Sequence, residues 1–345
     1  VTRTVRTLVA ALSVLCVTLL AACESSAGSG GAPATGGPSA GATDGASGFP
    51  VTITHAFGST TIDKQPARVV TWGFGSTDAA LALGVVPVAI PQQTYGGDKQ
   101  GVLPWIKDKL TAMGAETPTI LPNPSGSDTV PYEKIAAARP DVILANYSGI
   151  TKQQYATLTK IAPTVAYPDQ PWSTPWQDVV KTTGEVLGKS AQAQKLIDDT
   201  LSTIKDKAAD YPQLKGKTVA AVWDVGGTFY VYRKADSRVQ FLTDLGLTSA
   251  PSVDKLANGD SSFYYTLSYE KTSQLTSDVL VVYADDQKGI DTFLGKPYAK
   301  SMAQVRDGHV APVVGQEFVA AVSPPTVLSL PWGIDGYLKA LAKGA

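Results

Sequence analysis

Residues 190–210, SAQAQKLIDDTLSTIKDKAAD, decide how the rest of this chain is read. Leu196, Ile197, Leu201, Ile204 and Ala208 recur at helical spacing, and Ser190 is placed to cap the start. The segment reads as a stiff strut, because what flanks it reads as two versions of one layout. On one side Tyr132-Glu133-Lys134 leads to Asp141-Val142-Ile143-Leu144, and on the other Tyr269-Glu270-Lys271 leads to Asp278-Val279-Leu280-Val281. Glu and Asp are eight apart in both copies. A helix followed by a buried parallel strand accounts for each copy, and a repeat at this separation predicts two similar lobes rather than a solenoid. Ordinary αβ units would also resemble one another by chance, since any α/β fold carries several.

The chain of 345 residues, 43% of them hydrophobic, has room for two domains with their own cores. Residues 1–22 read as a secretory signal: basic Arg3 and Arg6, an apolar run from Leu8 to Leu20, then Leu20-Ala21-Ala22-Cys23. The last four residues are similar to a bacterial lipobox, which implies diacylation of the Cys23 thiol and cleavage just before it. An uncleaved anchor would need roughly 20 apolar residues, more than this run supplies, and free secretion would leave Cys23 without a role. Without the leader the formal charge goes from −1 to −3, because two of the 29 bases leave while all 30 acids stay. No basic surplus points to nucleic acid. Cys16 lies in the leader, so no disulfide forms within the mature chain and the core alone must hold it.

Cys23 opens a linker over residues 23–48, rich in Gly, Ala and Ser and free of large apolar side chains, which reads as a flexible leash. Its root-mean-square reach is roughly 25–30 Å. The first lobe, with its crossover helix, is placed at 49–189, the interlobe helix at 190–210 and the second lobe at 211–345. In the first lobe, Val51-Thr52-Ile53-Thr54 and Thr60-Thr61-Ile62 read as a hairpin around Gly58. Arg68 to Trp72 reads as a strand, Gly73-Phe74-Gly75 as a tight loop, and Ser76 or Thr77 as the cap of a helix from Asp78 to Leu83. This strand, glycine loop and helix start resemble an anion cradle only weakly, since the third glycine of a dinucleotide fingerprint and the Lys-Ser/Thr of a phosphate loop are missing.

Three stretches together carry a family resemblance: RVVTWGFGSTDAALALGVVPVAI, YEKIAAARPDVILANYSGITKQQYATLTKIAPTVAYP and WQDVVKTTGEVLGKSAQAQKLID. They resemble the iron-siderophore (Fe/B12-type, class III) substrate-binding proteins of ABC importers, and the likeness runs over residues 50–342. It implies an α/β fold of two Rossmann-like lobes joined by a single long α-helix, with the ligand in the cleft between them and modest closure. It also implies that matching acids on the two lobes engage arginines of the permease, and Glu133 and Glu270 match that pattern. On helix physics alone Glu133 would simply complement a helix dipole.

Candidate ligand contacts are aromatics beside loops or at strand ends, where ligands of open α/β sheets bind. In the first lobe these are Trp72, Tyr95, Trp105 and Tyr147; Trp105 would otherwise plug the lobe's own core. Trp172, in the Pro-rich entry to a helix over about 177–187, is a cleft residue or interface packing. Trp223 follows from its symmetry with Trp72. Arg233, Lys234 and Arg238 form the densest basic cluster, with Arg233 and Arg238 as candidates to read ligand oxygens, or else a solvated loop beside Asp236. Tyr264 and its neighbours and a loop carrying Glu317 and Phe318 are weaker candidates, and Asp285-Asp286, which closes the strand Val279 to Tyr283, reads as a surface turn. Residues 323–331 read as an irregular connector and 334–341 as a final helix.

Other chemistries find no support in the residues. His55 and His309 fall in separate lobes, so a direct zinc or manganese site lacks ligands. There is no Gly-x-Ser-x-Gly elbow and no haem or cluster motif. The expected protein is therefore not an enzyme and has neither catalytic residues nor a cofactor or metal of its own. It would be a monomeric lipoprotein, anchored in the cell membrane on the extracytoplasmic face, that captures a ferric siderophore and hands it to an ABC permease and its ATPase. A cobalamin or haem receptor on the same fold, and a cell-surface enzyme, are the alternatives. Catecholate and hydroxamate ligands are not distinguished.

Overall fold

Asp141 and Asp278, the matched acids of the two repeats, have the same task in the computed structural model, which describes residues 48–123, 129–259 and 261–345. The Asp141 carboxylate accepts the amides of Ala67 and Arg68 at 2.8 and 2.9 Å, and that of Asp278 accepts the Thr218 amide at 2.7 Å. Each acid ties the start of its own strand to the start of the central strand beside it. Hydrogen bonds from Thr218 hold the Asp278 carboxyl below the usual carboxylate range. The leader, Cys23 and nearly all of the 23–48 linker lie outside the described residues.

The first lobe begins with a hairpin of β1 (Val51–His55) and β2 (Gly58–Ile62), whose turn is Ala56-Phe57 rather than Gly58, since Gly58 pairs with His55. Its main sheet holds β3 (Val69–Thr71), β4 (Ala89–Pro91), β5 (Thr119–Leu121), β6 (Val142–Ala145) and β7 (Thr164–Ala166), all parallel, in the order β5-β4-β3-β6-β7. Between and after these strands come α1 (Ser76–Ala82), α2 (Pro104–Ala112), α3 (Tyr132–Ala137), α4 (Lys152–Leu158) and α5 (Trp176–Val186). Gly75, in a left-handed conformation, occupies the cap position of α1, so Ser76 and Thr77 are helical residues and not the cap.

The strut is α6 (Ser190–Ala209), 20 residues and so about 30 Å long. Ala193, Ile197, Thr200 and Ile204 form its buried stripe. Ser190 does not cap it: the link from α5 closes in three residues, with the Lys189 amide on the Gly184 carbonyl, so Lys189 takes the cap position and Ser190 is already helical. A Cβ on Gly184 would stand 2.3 Å from that of Ala193, so glycine is what lets α5 and α6 meet.

The second lobe carries β8 (Thr218–Val225), β9 (Thr228–Tyr232), α7 (Ser237–Asp244), β10 (Thr248–Ser249), α8 (Pro251–Leu256), β11 (Tyr264–Thr266) and β12 (Val279–Ala284). After them come α9 (Gln287–Gly295), α10 (Pro297–Lys300), α11 (Ala303–Asp307), β13 (Val310–Val314), α12 (Gln316–Val322) and α13 (Ser329–Gly344). The order is β11-β9-β8-β12-β13, with β10 beside β8; β8, β10, β12 and β13 are parallel, while β9 pairs antiparallel with β8 and β11 antiparallel with β9. The second repeat copy is a 3-10 turn, Tyr269–Gln274, where the first is α3. Thr272 stands where α3 has Ile135, and its hydroxyl bonds back to the Tyr269 carbonyl, which competes with α-helical pairing. Helix α13 starts at Ser329, five residues before its expected start, and Phe318 lies in α12 rather than a loop.

One continuous apolar cluster runs from Ile53 and Val69 in the first lobe through Ile197 and Ile204 of α6 to Tyr337 and Leu341 of α13. The two lobes therefore share core as well as a strut. No helix among the described residues is long and apolar enough to cross a membrane.

Candidate functional site

The carboxyl ends of β3 and β8 face a common cavity of about 250 Å³ between the lobes. On the first-lobe side it starts at Gly73-Phe74-Gly75. A Cβ on Gly73, at φ 134°, would stand 2.4 Å from the Tyr147 carbonyl oxygen, so only glycine permits the turn there, and the Phe74 amide donates to that same oxygen at 2.9 Å. The turn delivers Phe74, Thr77 and Asp78 to the cavity.

Asp78 is 3% exposed, and its Oδ1 accepts from Trp105 Nε1 at 2.8 Å and from Thr326 Oγ1 of the second lobe at 2.5 Å. Burial pushes its carboxyl up to about 6, the two hydrogen bonds pulling the other way. A raised acid favours the folded state below its unfolded value of 3.8, and that contribution is lost as pH rises through about 6. Asp78→Asn is therefore expected to stabilise the protein at pH 8 by up to about 3 kcal/mol and to change little at pH 4. Denaturant unfolding at the two pH values checks this; equal effects at both would mean the carboxyl is not strained.

Tyr95 spans the mouth. Its hydroxyl donates to Asp285 Oδ1 at 2.7 Å and its ring lies 6.0 Å from that of Trp223. Burial and the Asp285 carboxylate both drive its pKa upward. Beside it Gly96 touches α12 so closely that a Cβ would meet that of Ala320 at 2.7 Å. The first-lobe loop is thus seated on the second lobe.

Arg238 reaches the cavity from α7. Its Nη1 donates to Asp236 at 2.6 Å, its Nε to Ser323 at 2.5 Å, and its Cζ stands 4.1 Å from the centre of the Tyr232 ring. Burial raises the Asp236 carboxyl and Arg238 opposes it; for Arg238 desolvation is the largest influence and pulls downward, but Asp236 together with Tyr232, Tyr283 and Tyr147 more than offsets it and holds the guanidinium charged.

The cavity thus gathers Tyr95, Trp105, Trp223 and Arg238 from the expected residues. Tyr147 and Trp172 are one layer back. Tyr147, 5% exposed, hydrogen-bonds Ser237 across the lobes at 3.1 Å, and Trp172, on Gly149, lies 5.8 Å from the Phe74 ring.

Two expectations are corrected. Trp72 is fully buried in the first lobe's own core with Val70 and Ile143. The symmetry with Trp223 fails by one residue: continuing the register from Thr71↔Leu144 sets Trp72 four places past Asp141, and the residue four places past Asp278, Val282, pairs with Val222. Trp72 matches Val222, and alternate strand residues face opposite ways. The basic cluster is also dispersed. Arg233 donates to the Ser261 carbonyl at 2.9 Å and Lys234 pairs with Asp254 at 2.6 Å, neither lining the cavity.

The sequence reading missed Asp78, Phe74 and Thr326. Asp78 and Phe74 were visible only as parts of a glycine loop and a helix start, and the partner that gives Asp78 its meaning is 248 residues away. Asp285, read as a surface turn, holds Tyr95. Glu133 and Glu270 are exposed, outside the cavity, in equivalent places before β6 and β12. His55 is buried on Thr60 at 2.9 Å, and His309 meets the Gly344 carbonyl at 3.2 Å, so both serve the fold.

Comparison with known proteins agrees with this geometry. A crystal structure of PiaA from Streptococcus pneumoniae TIGR4 in complex with ferrichrome is 34% identical, covers 85% of this chain and 98% of its own, and superposes with a TM-score of 0.77. YhfQ of Bacillus subtilis (strain 168), whose name describes an ABC transporter substrate-binding lipoprotein, is 27% identical over 75% of this chain and 80% of its own. The ferric enterobactin-binding periplasmic protein FepB of Escherichia coli is 26% identical over 76% and 83%. With two lobes, one connecting helix and residues 69–313 matching the profile described as periplasmic binding protein, the chain belongs to the periplasmic binding protein family.

Proposed function

We propose that this protein is the extracytoplasmic substrate-binding lipoprotein of an ABC importer, that it captures a ferric siderophore, and that it delivers the complex to a membrane permease. The observation that carries the reading is the aromatic-walled cavity between the lobes, at the carboxyl ends of both sheets. In this reading iron arrives already chelated by the siderophore. Relatives whose names or crystal complexes specify ferrichrome and ferric enterobactin support the same cargo.

In this reading Trp105 and Trp223 pack on the organic shell of the chelate, Tyr95 closes over it and Arg238 donates to its oxygens. Trp172 and Tyr147 back the Phe74 wall. Glu133 and Glu270 dock the permease, and a lipid on Cys23 holds the body at the membrane. The protein binds and releases, and the transport energy belongs to its partner.

Tryptophan fluorescence of the purified protein tests this directly, since two of its six tryptophans line the cavity. Ferric chelates are expected to quench it saturably at submicromolar concentration, their metal-free forms far less. A saturable response to cobalamin or haem alone would replace the siderophore with that ligand.

A further inference from the structure

The charge inventory of the cavity separates one class of ferric chelate from another. Asp78 and Arg238 are the only acidic or basic side chains among the described residues of its lining. Arg238 is already balanced by Asp236, 2.6 Å away and 2% exposed, and two of its three nitrogens are committed to Asp236 and Ser323. Among the described residues Asp78 has no cationic partner, only the neutral donors of Trp105 and Thr326. At the mouth, Asp285 adds a further carboxylate beneath Tyr95. Arg233 and Lys234 are held elsewhere, and Lys107 pairs with Asp98 at 3.2 Å outside the lining.

Siderophore groups differ in charge by simple arithmetic. A hydroxamate carries one negative charge and a catecholate two, so three hydroxamates neutralise ferric iron whereas three catecholates leave a complex of charge −3. A site for a polyanion needs convergent Arg or Lys donors to replace the water it strips away. This cavity offers one arginine, already paired. Its walls of Trp105, Trp223, Tyr95 and Phe74 suit an uncharged shell instead.

We propose that this cavity takes ferric chelates without net negative charge, of the tris-hydroxamate type, and that Asp78 is the specificity-determining residue that turns polyanionic chelates away. The proposal rests on the siderophore-receptor reading and adds the class of chelate to it. Discrimination by a repulsive group is a general way to specificity, and Asp78 is placed for it at the cavity wall, bridged to both lobes. At pH 7.5 its carboxyl, raised to about 6, is ionised.

The test is a fluorescence titration of the full purified chain and of Asp78→Asn with ferrichrome, a neutral tris-hydroxamate complex, and ferric enterobactin, a tris-catecholate of charge −3, at pH 7.5. The wild type is expected to prefer ferrichrome by on the order of 100-fold or more, and Asp78→Asn to narrow that ratio by about tenfold. Ferric enterobactin binding as tightly as ferrichrome would overturn the charge selection while leaving the receptor reading standing. A preference that Asp78→Asn leaves unchanged would remove Asp78 from the discrimination. If neither complex nor any other ferric chelate saturates the signal, the receptor reading fails and the inference falls with it.

Discussion

Alanine at both Glu133 and Glu270 is expected to abolish ligand uptake by cells while leaving the affinity of the purified protein within about twofold of wild type, because surface substitutions away from special features usually cost within about 0.5 kcal/mol. Both side chains are exposed and neither lines the cavity. Glu133 sits in the first turn of the six-residue α3 and Glu270 in the first turn of the 3-10 segment, so each contributes little to its element beyond a weak dipole interaction. Their meaning is positional. The eight-residue spacing to Asp141 and Asp278 sets them at equivalent points on two lobes whose central strands those aspartates pin. Two acids at matched points form a two-pronged charge pattern that a pair of basic sockets would read. Such a pattern governs encounter and register more than internal binding. Each single alanine should leave partial uptake, and the double none. Weakened ligand binding by the purified double variant, or uptake at the wild-type rate, would refute docking through these residues.

The lobes and the strut were legible because their signals are local and periodic. The stripe of α6 appears in four residues of sequence spacing, and the repeat shows in one glutamate, one aspartate and an apolar run. What was not legible depends on parity and on distant partners. Trp72 directly follows β3 and Trp223 lies near the end of β8, yet the two strands enter their sheets one residue out of step, so one ring is buried in its lobe and the other lines the cavity. No composition rule records that offset. Asp78 read as an ordinary helix-opening acid, because Trp105 and Thr326 come to it only through the folded arrangement of loop and connector. The run Arg233-Lys234 with Arg238 read as one cluster, but a strand end, a turn and a helix start send the three cations to three different acceptors. Sequence proximity of like charges is a poor guide where a strand end, a turn and a helix start follow one another within six residues.

Arg238→Ala is expected to cost about 3–5 kcal/mol of folding stability, the usual penalty for stripping one partner from a buried ion pair. Asp236 cannot relax into water: it is 2% exposed and caps α7 by accepting the Arg238 amide at 2.8 Å. Losing the guanidinium would also free Ser323, ahead of the connector that carries Thr326 to Asp78, so the second lobe's side of the cavity would loosen. The loss should come from the stranded charge more than from the missing contact. Asp236→Asn keeps a good helix cap while removing that charge. The double variant Asp236→Asn with Arg238→Met is therefore expected to recover most of the stability, since well-packed neutral substitutes for a buried pair are often neutral or stabilising. Denaturant unfolding of the wild type, the Arg238→Ala variant and the double variant decides it. If the double variant were as unstable as the single one, the guanidinium would be contributing through packing on Tyr232 and its bond to Ser323, and Asp236 would not be the reason it is there.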